Sequence, residues 1–217
     1  MDIFDNQIAA QVAAKLLEIK AIRLQPEKPF TWASGWKSPI YCDNRLSLSY
    51  PEVRSFIKEN LVKAIQTHFP EVEAIAGVAT AGIPQGALIA DSLNLPFLYV
   101  RSKPKGHGME NMIEGKVTVG QKVVVVEDLI STGGSSLKAV QDLKNAGFEV
   151  LGMVAIFTYG FDIANDNFSE ANVKLICLSN YSSMLPPALA NDYIDDHTLA
   201  SLVEWRKAPN SWQGVEK

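Results

Sequence analysis

The sequence predicts an α/β fold in which a central, mostly parallel sheet is flanked by helices. Five short apolar runs recur in the second half and middle of the chain, and most are separated by segments with helical character: EAIAGVAT, LPFLYVR, QKVVVVED, EVLGMVAIF and VKLICLS. Their apolar residues are continuous rather than alternating, which is typical of strands buried on both faces. Parallel strands need helical crossovers, so we expect helices on both sides of the sheet.

Length and composition indicate one compact domain with a small appendage. The chain has 217 residues, of which 47% are hydrophobic and 20% are charged. A net charge of −4 does not favour a nucleic-acid partner. No apolar run approaches the roughly 20 residues that cross a bilayer, and the N-terminus lacks the pattern of a secretory signal, so we expect a cytoplasmic protein with no membrane partner. The distant cysteines Cys42 and Cys177 indicate neither a disulfide framework nor a zinc site.

The N-terminal segment, from residue 3 to about residue 20, has the apolar spacing of a helix. The residues that recur every four positions are Phe4, Ile8, Val12 and Leu16. Between residues 21 and 50, prolines and aromatic residues interrupt any long element, so we expect a short strand-and-loop appendage. The prediction therefore divides the chain into an N-terminal part, residues 1–50, and a core with C-terminal helices, residues 51–217.

Helical patterns return at Pro51 and again near the C-terminus. Pro51 suits the first turn of a helix, because its missing N–H would have no partner there in any case. The apolar residues that follow it repeat on one face. From Ser182 onward, several leucines and Trp205 predict one or two helices that pack on the core.

The run of valines in QKVVVVED leads into two acids, Glu127 and Asp128, where we expect the strand to end. Ligands of open α/β sheets bind beyond the carboxyl ends of the strands. A small-residue turn, residues 131–135, precedes a helix that ends at Gly147, so its hydroxyls and backbone N–H groups can converge on an anion. Because carboxylates accept hydrogen bonds from sugar hydroxyls, the pattern predicts a ribose 5-phosphate across the turn. The alternative is a helix cap with solvated acids.

Two common nucleotide motifs are excluded as explanations of this turn. The GxxxxGK[ST] pattern of a P-loop does not occur in the sequence. The stretch GHGMEN lacks the third glycine of a dinucleotide-binding turn. The turn therefore belongs to another class of phosphate site.

A basic segment, VRSKPKGH, predicts a local anion partner. Its basic residues are Arg101, Lys103, Lys105 and His107. Pro104, Gly106 and Gly108 surround them, so we expect a moving loop rather than a core element. A solvated surface loop is the alternative.

Three stretches resemble a known family. VVVVEDLISTGG resembles the phosphoribosyl pyrophosphate motif of type I phosphoribosyltransferases, FTWASGWKSPIYCDNR resembles the N-terminal hood of orotate phosphoribosyltransferases, and VRSKPKGHGMENMIEG resembles their mobile catalytic loop. The resemblance covers nearly the whole chain and implies the type I phosphoribosyltransferase fold, with a small hood within residues 1–50. It implies that phosphoribosyl pyrophosphate and orotate react to orotidine 5′-phosphate and pyrophosphate. It also implies a Mg²⁺ cofactor held chiefly by substrate oxygens and water, without a protein ligand set, and a homodimer with shared active sites.

The resemblance also implies roles for individual residues. Asp128, Lys105 and His107 would be catalytic. Lys37, Tyr41 and Ser131 would bind orotate. The residues implied to bind phosphoribosyl pyrophosphate are Arg101, Lys105, His107, Glu127, Asp128, Leu129, Ile130, Ser131, Thr132, Gly133, Gly134 and Ser135.

Two further features bear on the resemblance. GVATAGIP, from Gly77 to Pro84, is expected to approach the pyrophosphate through its backbone, with an ordinary strand-to-helix turn as the alternative. Ala33, Ala81 and Ser102 stand where some family members carry lysines, and no arginine follows VAIFTYGF. We therefore expect the remaining basic residues of the loop to balance the pyrophosphate charge.

Two other functions compete with this interpretation. The first is the same transfer to a purine or to uracil, against which the hood stretch argues. The second is a regulator that senses the sugar phosphate and binds DNA without catalysis. Such a regulator would need a basic DNA-binding module, and the acidic chain offers no room for one.

Overall fold

The computed structural model describes residues 1–32, 35–103 and 112–212. The strands are β1 (Asp2–Ile3), β2 (Ile22–Leu24), β3 (Phe30–Thr31), β4 (Lys37–Ser38), β5 (Ile40–Cys42), β6 (Ala74–Val78), β7 (Phe97–Val100), β8 (Ile113–Glu114), β9 (Lys122–Ile130), β10 (Glu149–Thr158) and β11 (Leu175–Asn180). Seven of them form the central sheet, in the order β1-β11-β10-β9-β6-β7-β8. Neighbours run parallel except β8, which is antiparallel to β7. The predicted α/β class with a mostly parallel sheet is confirmed.

Helices cover both faces of this sheet. They are α1 (Asn6–Glu18), α2 (Pro51–His68), α3 (Gly82–Leu93), α4 (Gly134–Asn145), α5 (Asp162–Glu170), α6 (Tyr181–Ala190) and α7 (Asp196–Lys207), with a 3₁₀ helix at Asn44–Ser49. Residues of α4 and α5 join the core on one face, and residues of the other α-helices join the core on the opposite face. Within the described ranges, none of these helices is both long and apolar enough to cross a membrane.

The valines of β9 show why the apolar runs are continuous. Val123 and Val125 belong to the core beneath α4 and α5, whereas Val124 and Val126 belong to the opposite core, and all four are fully buried. Successive side chains of a strand point to opposite faces, so a strand covered on both sides needs apolar residues at every position. Burying each such side chain stabilises the fold by about 1.5–3 kcal/mol.

The N-terminal helix is shorter than its spacing predicts. α1 begins after Asp5, whose carboxylate accepts a hydrogen bond from the N–H of Ile8 at 2.8 Å and caps the helix. The first residues instead form β1, and the N–H of Phe4 donates to the carbonyl of Cys177 on β11 at 3.0 Å. The predicted start at residue 3 is wrong, because the apolar period does not reveal that the backbone there bonds to the edge of the sheet.

The predicted strand-and-loop character of residues 21–50 is confirmed. β2 pairs with β5, and β3 pairs with β4, each as a small antiparallel sheet. The division of the chain at residue 50 stays a prediction.

The helices predicted at Pro51 and after Ser182 are both present. Pro51 is the first residue of α2, and α6 and α7 form the C-terminal end of the described chain. Trp205 of α7 is fully buried, and its indole Nε1 donates to the carbonyl of Lys37 at 3.1 Å. The C-terminal helix therefore helps to hold the N-terminal appendage over the carboxyl edge of the sheet.

Candidate active site

The acids of β9 lie near the carboxyl edge of the sheet, but inside the strand. β9 continues beyond Asp128, and Leu129 and Ile130 still pair with residues of β10. The expectation that the strand ends at the acids is therefore wrong. Pairing with the long neighbour β10 extends the strand to Ile130, whose side chain is buried in the core and leaves only its backbone for a ligand.

Glu127 joins β9 to the start of α4. Its side chain is 6% exposed, and its carboxylate accepts hydrogen bonds from the hydroxyl of Ser136 at 2.9 Å and from the N–H of Asp128 at 3.0 Å. Burial, reinforced by the nearby charge of Asp128, raises the pKa of Glu127 from 4.5 to about 8. Near neutral pH the pair therefore carries less than two full negative charges.

Asp128 is held from the side of the appendage. Asn44 is buried, and its side-chain amide donates to the main-chain carbonyl of Asp128 at 2.7 Å. The thiol of Cys42 donates to the Asn44 side-chain oxygen at 3.3 Å, and the hydroxyl of Ser47 donates to the Asn44 carbonyl at 2.6 Å. Burial raises the pKa of the Asp128 carboxyl. Sequence patterns do not reveal the role of Asn44, because its partner lies 84 positions away along the chain.

The turn at residues 131–135 brings a helix N-terminus to the same edge. Gly133 adopts a left-handed φ of 83° directly before α4, and a Cβ there would lie 2.6 Å from the ring of Phe168. The side-chain amide of Asn167 donates to the carbonyl of Thr132 at 2.9 Å and fixes the turn. The positive end of the helix dipole favours an anion at this place.

The turn between β6 and α3, within GVATAGIP, is shaped by close packing of backbone. A Cβ on Gly77 would lie 2.8 Å from the carbonyl oxygen of Gly82, and a Cβ on Gly82 would overlap the carbonyl oxygen of Val126 on β9. Only glycine fits at such contacts. This turn therefore lies directly beside the acids of β9.

A cavity of about 310 Å³, here called the acidic cavity, lies where these turns meet. Its lining residues are Val78, Ala79, Thr80, Ala81, Arg101, Ser102, Glu127, Asp128, Leu129, Ser135, Lys138, Ala139 and Asp142. Polar and charged side chains thus converge beyond the carboxyl ends of β6, β7 and β9, which is the usual ligand position in open α/β sheets.

A second cavity of about 300 Å³, here called the aromatic pocket, opens on the other side of the strand. Its lining residues are Thr31, Trp32, Tyr41, Cys42, Leu129, Ser131 and Tyr159. The ring centroids of Trp32 and Tyr159 are 4.9 Å apart, so these rings pack on each other as well as lining the space. Leu129 lines both cavities.

The structure brings together two of the three residues predicted for orotate. Tyr41 and Ser131 both line the aromatic pocket. Lys37 does not line it, but its ammonium donates to the hydroxyl of Thr31 at 2.8 Å and so lies behind one wall. Tyr159 was missed, although its place after the apolar run of β10 is a signal that could have pointed to the same edge.

The basic loop is described only at its start. Arg101 lines the acidic cavity, and its guanidinium donates to the carboxylate of Glu114 at 3.1 Å and to the carbonyl of Lys103 at 3.1 Å. Lys105 and His107, both predicted to be catalytic, lie outside the described residues.

A larger surface cavity than these two lies elsewhere, between the end of α1 and the start of α2. It has about 700 Å³ and is lined by residues such as Lys15, Lys20 and Glu52. It contains no residue of the acidic cavity or the aromatic pocket. Size alone therefore does not locate the chemistry, and the convergence of buried acids, a helix N-terminus and an aromatic wall does.

Fold and site together define the class of protein. A mostly parallel sheet with buried acids beside a small-residue turn, next to a pocket lined by aromatic rings, is typical of a type I phosphoribosyltransferase. The family model described as "Phosphoribosyl transferase domain" matches residues 49–191.

Comparison with known proteins narrows the class. The orotate phosphoribosyltransferase of Cytophaga hutchinsonii is 64% identical over 203 residues, which cover 94% of this chain and 97% of that protein. The crystal structure of orotate phosphoribosyltransferase from Aeropyrum pernix has a TM-score of 0.73 at 29% identity, over 81% of this chain and 96% of that one. The UMP synthase of Leishmania donovani has a TM-score of 0.77 at 25% identity, over 92% of this chain, which spans only 42% of that longer one.

The chain belongs to the orotate phosphoribosyltransferase family. The predicted enzyme class, a pentosyltransferase, and the predicted type I fold are therefore confirmed.

Proposed function

We propose that the protein transfers the 5-phosphoribosyl group from phosphoribosyl pyrophosphate to orotate, giving orotidine 5′-phosphate and pyrophosphate. One observation carries this proposal beyond family membership: the aromatic pocket and the acidic cavity meet at Leu129, next to Asp128. A flat base in one and a sugar diphosphate in the other would face each other across a single residue.

The base would occupy the aromatic pocket. Trp32, Tyr41 and Tyr159 offer ring surfaces, which pack well on a planar pyrimidine. Ser131 provides a hydroxyl that can donate to or accept from the ring substituents. Lys37, behind Thr31, would favour a negatively charged base by its nearby positive charge.

The sugar phosphate would lie along the end of β9. The turn at residues 131–135 and the N-terminus of α4 would bind the 5′-phosphate through backbone N–H groups and hydroxyls. Asp128 would accept hydrogen bonds from the ribose hydroxyls, with Glu127 behind it. The diphosphate would then point toward the β6–α3 turn and Arg101, in the acidic cavity.

Positive charge develops on the ribose ring as the diphosphate leaves, and the site must stabilise it. Asp128 would carry the negative charge nearest the ring, because its neighbour Glu127 has a pKa raised to about 8 and stays largely protonated at neutral pH. In a sheltered site such a fixed charge is worth more than in water. Lys105 and His107 of the basic loop would neutralise the leaving group and help to exclude water.

Magnesium is part of the proposal because the donor set fits it. The acidic cavity offers carboxylates and the hydroxyl of Thr80, and Mg²⁺ prefers oxygen ligands while keeping several waters. Among the described residues, no three His, Cys, Asp or Glu side chains form a ready metal site. Water and the substrate's phosphate oxygens would therefore supply most ligands, with Asp128 nearby, and the ion would neutralise diphosphate charge.

One assay tests the proposed function. The pure protein is incubated with phosphoribosyl pyrophosphate and Mg²⁺, and consumption of orotate, uracil, hypoxanthine and adenine is followed separately. We expect orotate to be the preferred base by a wide margin. A different preferred base would contradict the proposed substrate, and a protein that binds phosphoribosyl pyrophosphate without turnover of any base would favour the regulatory alternative.

A second experiment tests the homodimer with shared sites, which together with a cytoplasmic location stays a prediction. Asp128→Asn and Lys105→Ala would each inactivate the enzyme, one through the strand and one through the loop. If the loop of one subunit completes the site of the other, mixing the two variants restores part of the activity, because some sites then contain neither substitution. Absence of recovery after subunit exchange, verified by mass spectrometry of differently labelled chains, would contradict shared sites.

A further inference from the structure

The acidic cavity has a charge balance that does not suit a diphosphate. Among the described lining residues, Glu127, Asp128 and Asp142 are acidic, and only Arg101 and Lys138 are basic. Arg101 already donates to a carboxylate and a carbonyl. A diphosphate placed here would need positive charge from the protein close to its oxygens, in addition to the charge of Mg²⁺.

Lys138 stands on the face of α4 that borders this cavity. Ser135, Lys138, Ala139 and Asp142 all line it, and their spacing of three and four residues places them along one face of the helix. Lys138 therefore follows the phosphate turn by one helical turn and lies on the same side as Asp128. Ala81, before α3, and Ser102, after β7, also line the cavity and are small and uncharged.

The present partner of Lys138 is easily exchanged. Its ammonium lies 3.0 Å from the carboxylate of Asp142, in an i,i+4 pair whose lysine side chain is 63% exposed. Exposed pairs of this kind contribute little to stability, so a more highly charged phosphate can compete for the ammonium. An ammonium carries a full positive charge and three donors, so it binds charged phosphate oxygens more strongly than the neutral hydroxyls of the sugar.

We propose that Lys138 is a binding residue for the diphosphate group of the substrate and for the pyrophosphate product. The proposal rests on the proposed function, because it assumes that the diphosphate occupies the acidic cavity. Lys138 exchanges Asp142 for a diphosphate oxygen when the ligand binds. Lys138 thereby supplies positive charge from α4, whereas the small residues Ala81 and Ser102 supply none.

Isothermal titration calorimetry tests this role with two probes. The purified protein is titrated with each ligand in the presence of Mg²⁺. Pyrophosphate reports on the diphosphate position, and orotidine 5′-phosphate, which has no diphosphate, reports on the rest of the site. For Lys138→Ala we expect the Kd of pyrophosphate to rise about tenfold, because the variant loses one charge-assisted hydrogen bond that solvent already weakens. The Kd of orotidine 5′-phosphate should change by less than about twofold. Lys138→Arg should keep most of the pyrophosphate affinity.

Two matched variants separate a local contact from a change in net charge. Lys144, an exposed lysine on the same helix, does not line the acidic cavity, so Lys144→Ala should leave both affinities unchanged. Asp142→Asn should tighten pyrophosphate binding, because it removes the competing carboxylate.

The outcomes decide the matter. Unchanged pyrophosphate binding in Lys138→Ala, equal losses for both probes, or an equal loss in Lys144→Ala would each overturn the role of Lys138. These results are distinct from failure of the proposed function, which would appear as absence of orotate turnover or of pyrophosphate binding in the unsubstituted protein.

Discussion

The two strand-to-helix turns at the carboxyl edge of the sheet have the same topology but are specified in different ways. The β6–α3 turn requires glycine at two positions, because a Cβ on Gly77 or Gly82 would clash with backbone atoms. The β9–α4 turn depends on polar groups, since Glu127 bonds to Ser136 and Asn44 bonds to the carbonyl of Asp128. The first turn is defined by close contacts between backbone atoms, and the second by hydrogen bonds of buried polar groups.

The largest effect is expected where backbone meets backbone. Gly82→Ala should destabilise the protein by about 3 kcal/mol or more, or prevent folding, because its Cβ overlaps the carbonyl oxygen of Val126 and neither strand nor helix can yield easily. Gly134→Ala, in the other turn, meets no heavy atom within 4 Å and should change stability by less than about 1 kcal/mol. Urea unfolding measures the stability of both variants, and equal losses of stability would contradict this difference between the two turns.

Asp128→Asn should affect catalysis while sparing the fold. Loss of the charge that we propose lies nearest the ribose should lower kcat by about 10²–10³-fold, as for removal of one electrostatic group in a preorganised site. Because burial already disfavours the ionised form of Asp128, the variant should unfold at the same or a higher temperature. Steady-state kinetics and thermal unfolding test the two halves, and a variant with full activity would remove Asp128 from the mechanism.

Asn44→Ala should show how far the β9–α4 turn depends on its polar support. Without the amide, the buried carbonyl of Asp128 loses its donor, which should cost about 1–3 kcal/mol. Asn191→Ala removes a similar bond, from the Asn191 amide to the carbonyl of Pro187 at 2.8 Å, but on the surface, and should cost less than about 0.5 kcal/mol. Denaturant unfolding of both variants gives the difference, and equal costs would mean that Asn44 is not a special support.

Glu127 should give the stability of the protein a definite pH dependence. Its pKa is raised from 4.5 to about 8 in the folded protein, so between these values the folded state holds a proton that the unfolded state has released. Stability should therefore fall as pH rises through this window, by up to about 1.4 kcal/mol per pH unit, and become level above it. Glu127→Gln cannot titrate, so unfolding curves from about pH 5 to about pH 8 should diverge from those of the unsubstituted protein. Parallel curves would contradict the raised pKa.

Much of the fold could be predicted from the sequence, because its signals are local. The valines of β9 are continuous since both faces are covered, and this single pattern is enough to indicate a sandwiched parallel strand. β1 could not be predicted, because a two-residue strand at the sheet edge has no period to detect. The end of β9 was misplaced because pairing with β10, and not the chemistry of the acids, sets its length.

The site was predictable in its types of residue but not in its connections. The local pattern that follows the valine run singles out Asp128 and Ser131, whereas Tyr41 is implied only by the resemblance to the family. The structure places these residues around two cavities that share Leu129. Asn44 could not be found, because an asparagine after an aspartate is ordinary and its importance comes from a carbonyl distant in the chain. The sequence also does not reveal that the Glu127 carboxylate accepts hydrogen bonds from the N–H of Asp128 and the hydroxyl of Ser136.

Leu129 has a practical consequence for the design of inhibitors. It lines both the cavity proposed for the flat base and the cavity proposed for the diphosphate, each of about 300 Å³. A fragment chosen for each cavity could be joined by a short bridge over this one side chain. The second fragment would then bind at high effective concentration, so two weak ligands would combine into a strong one without any new contact.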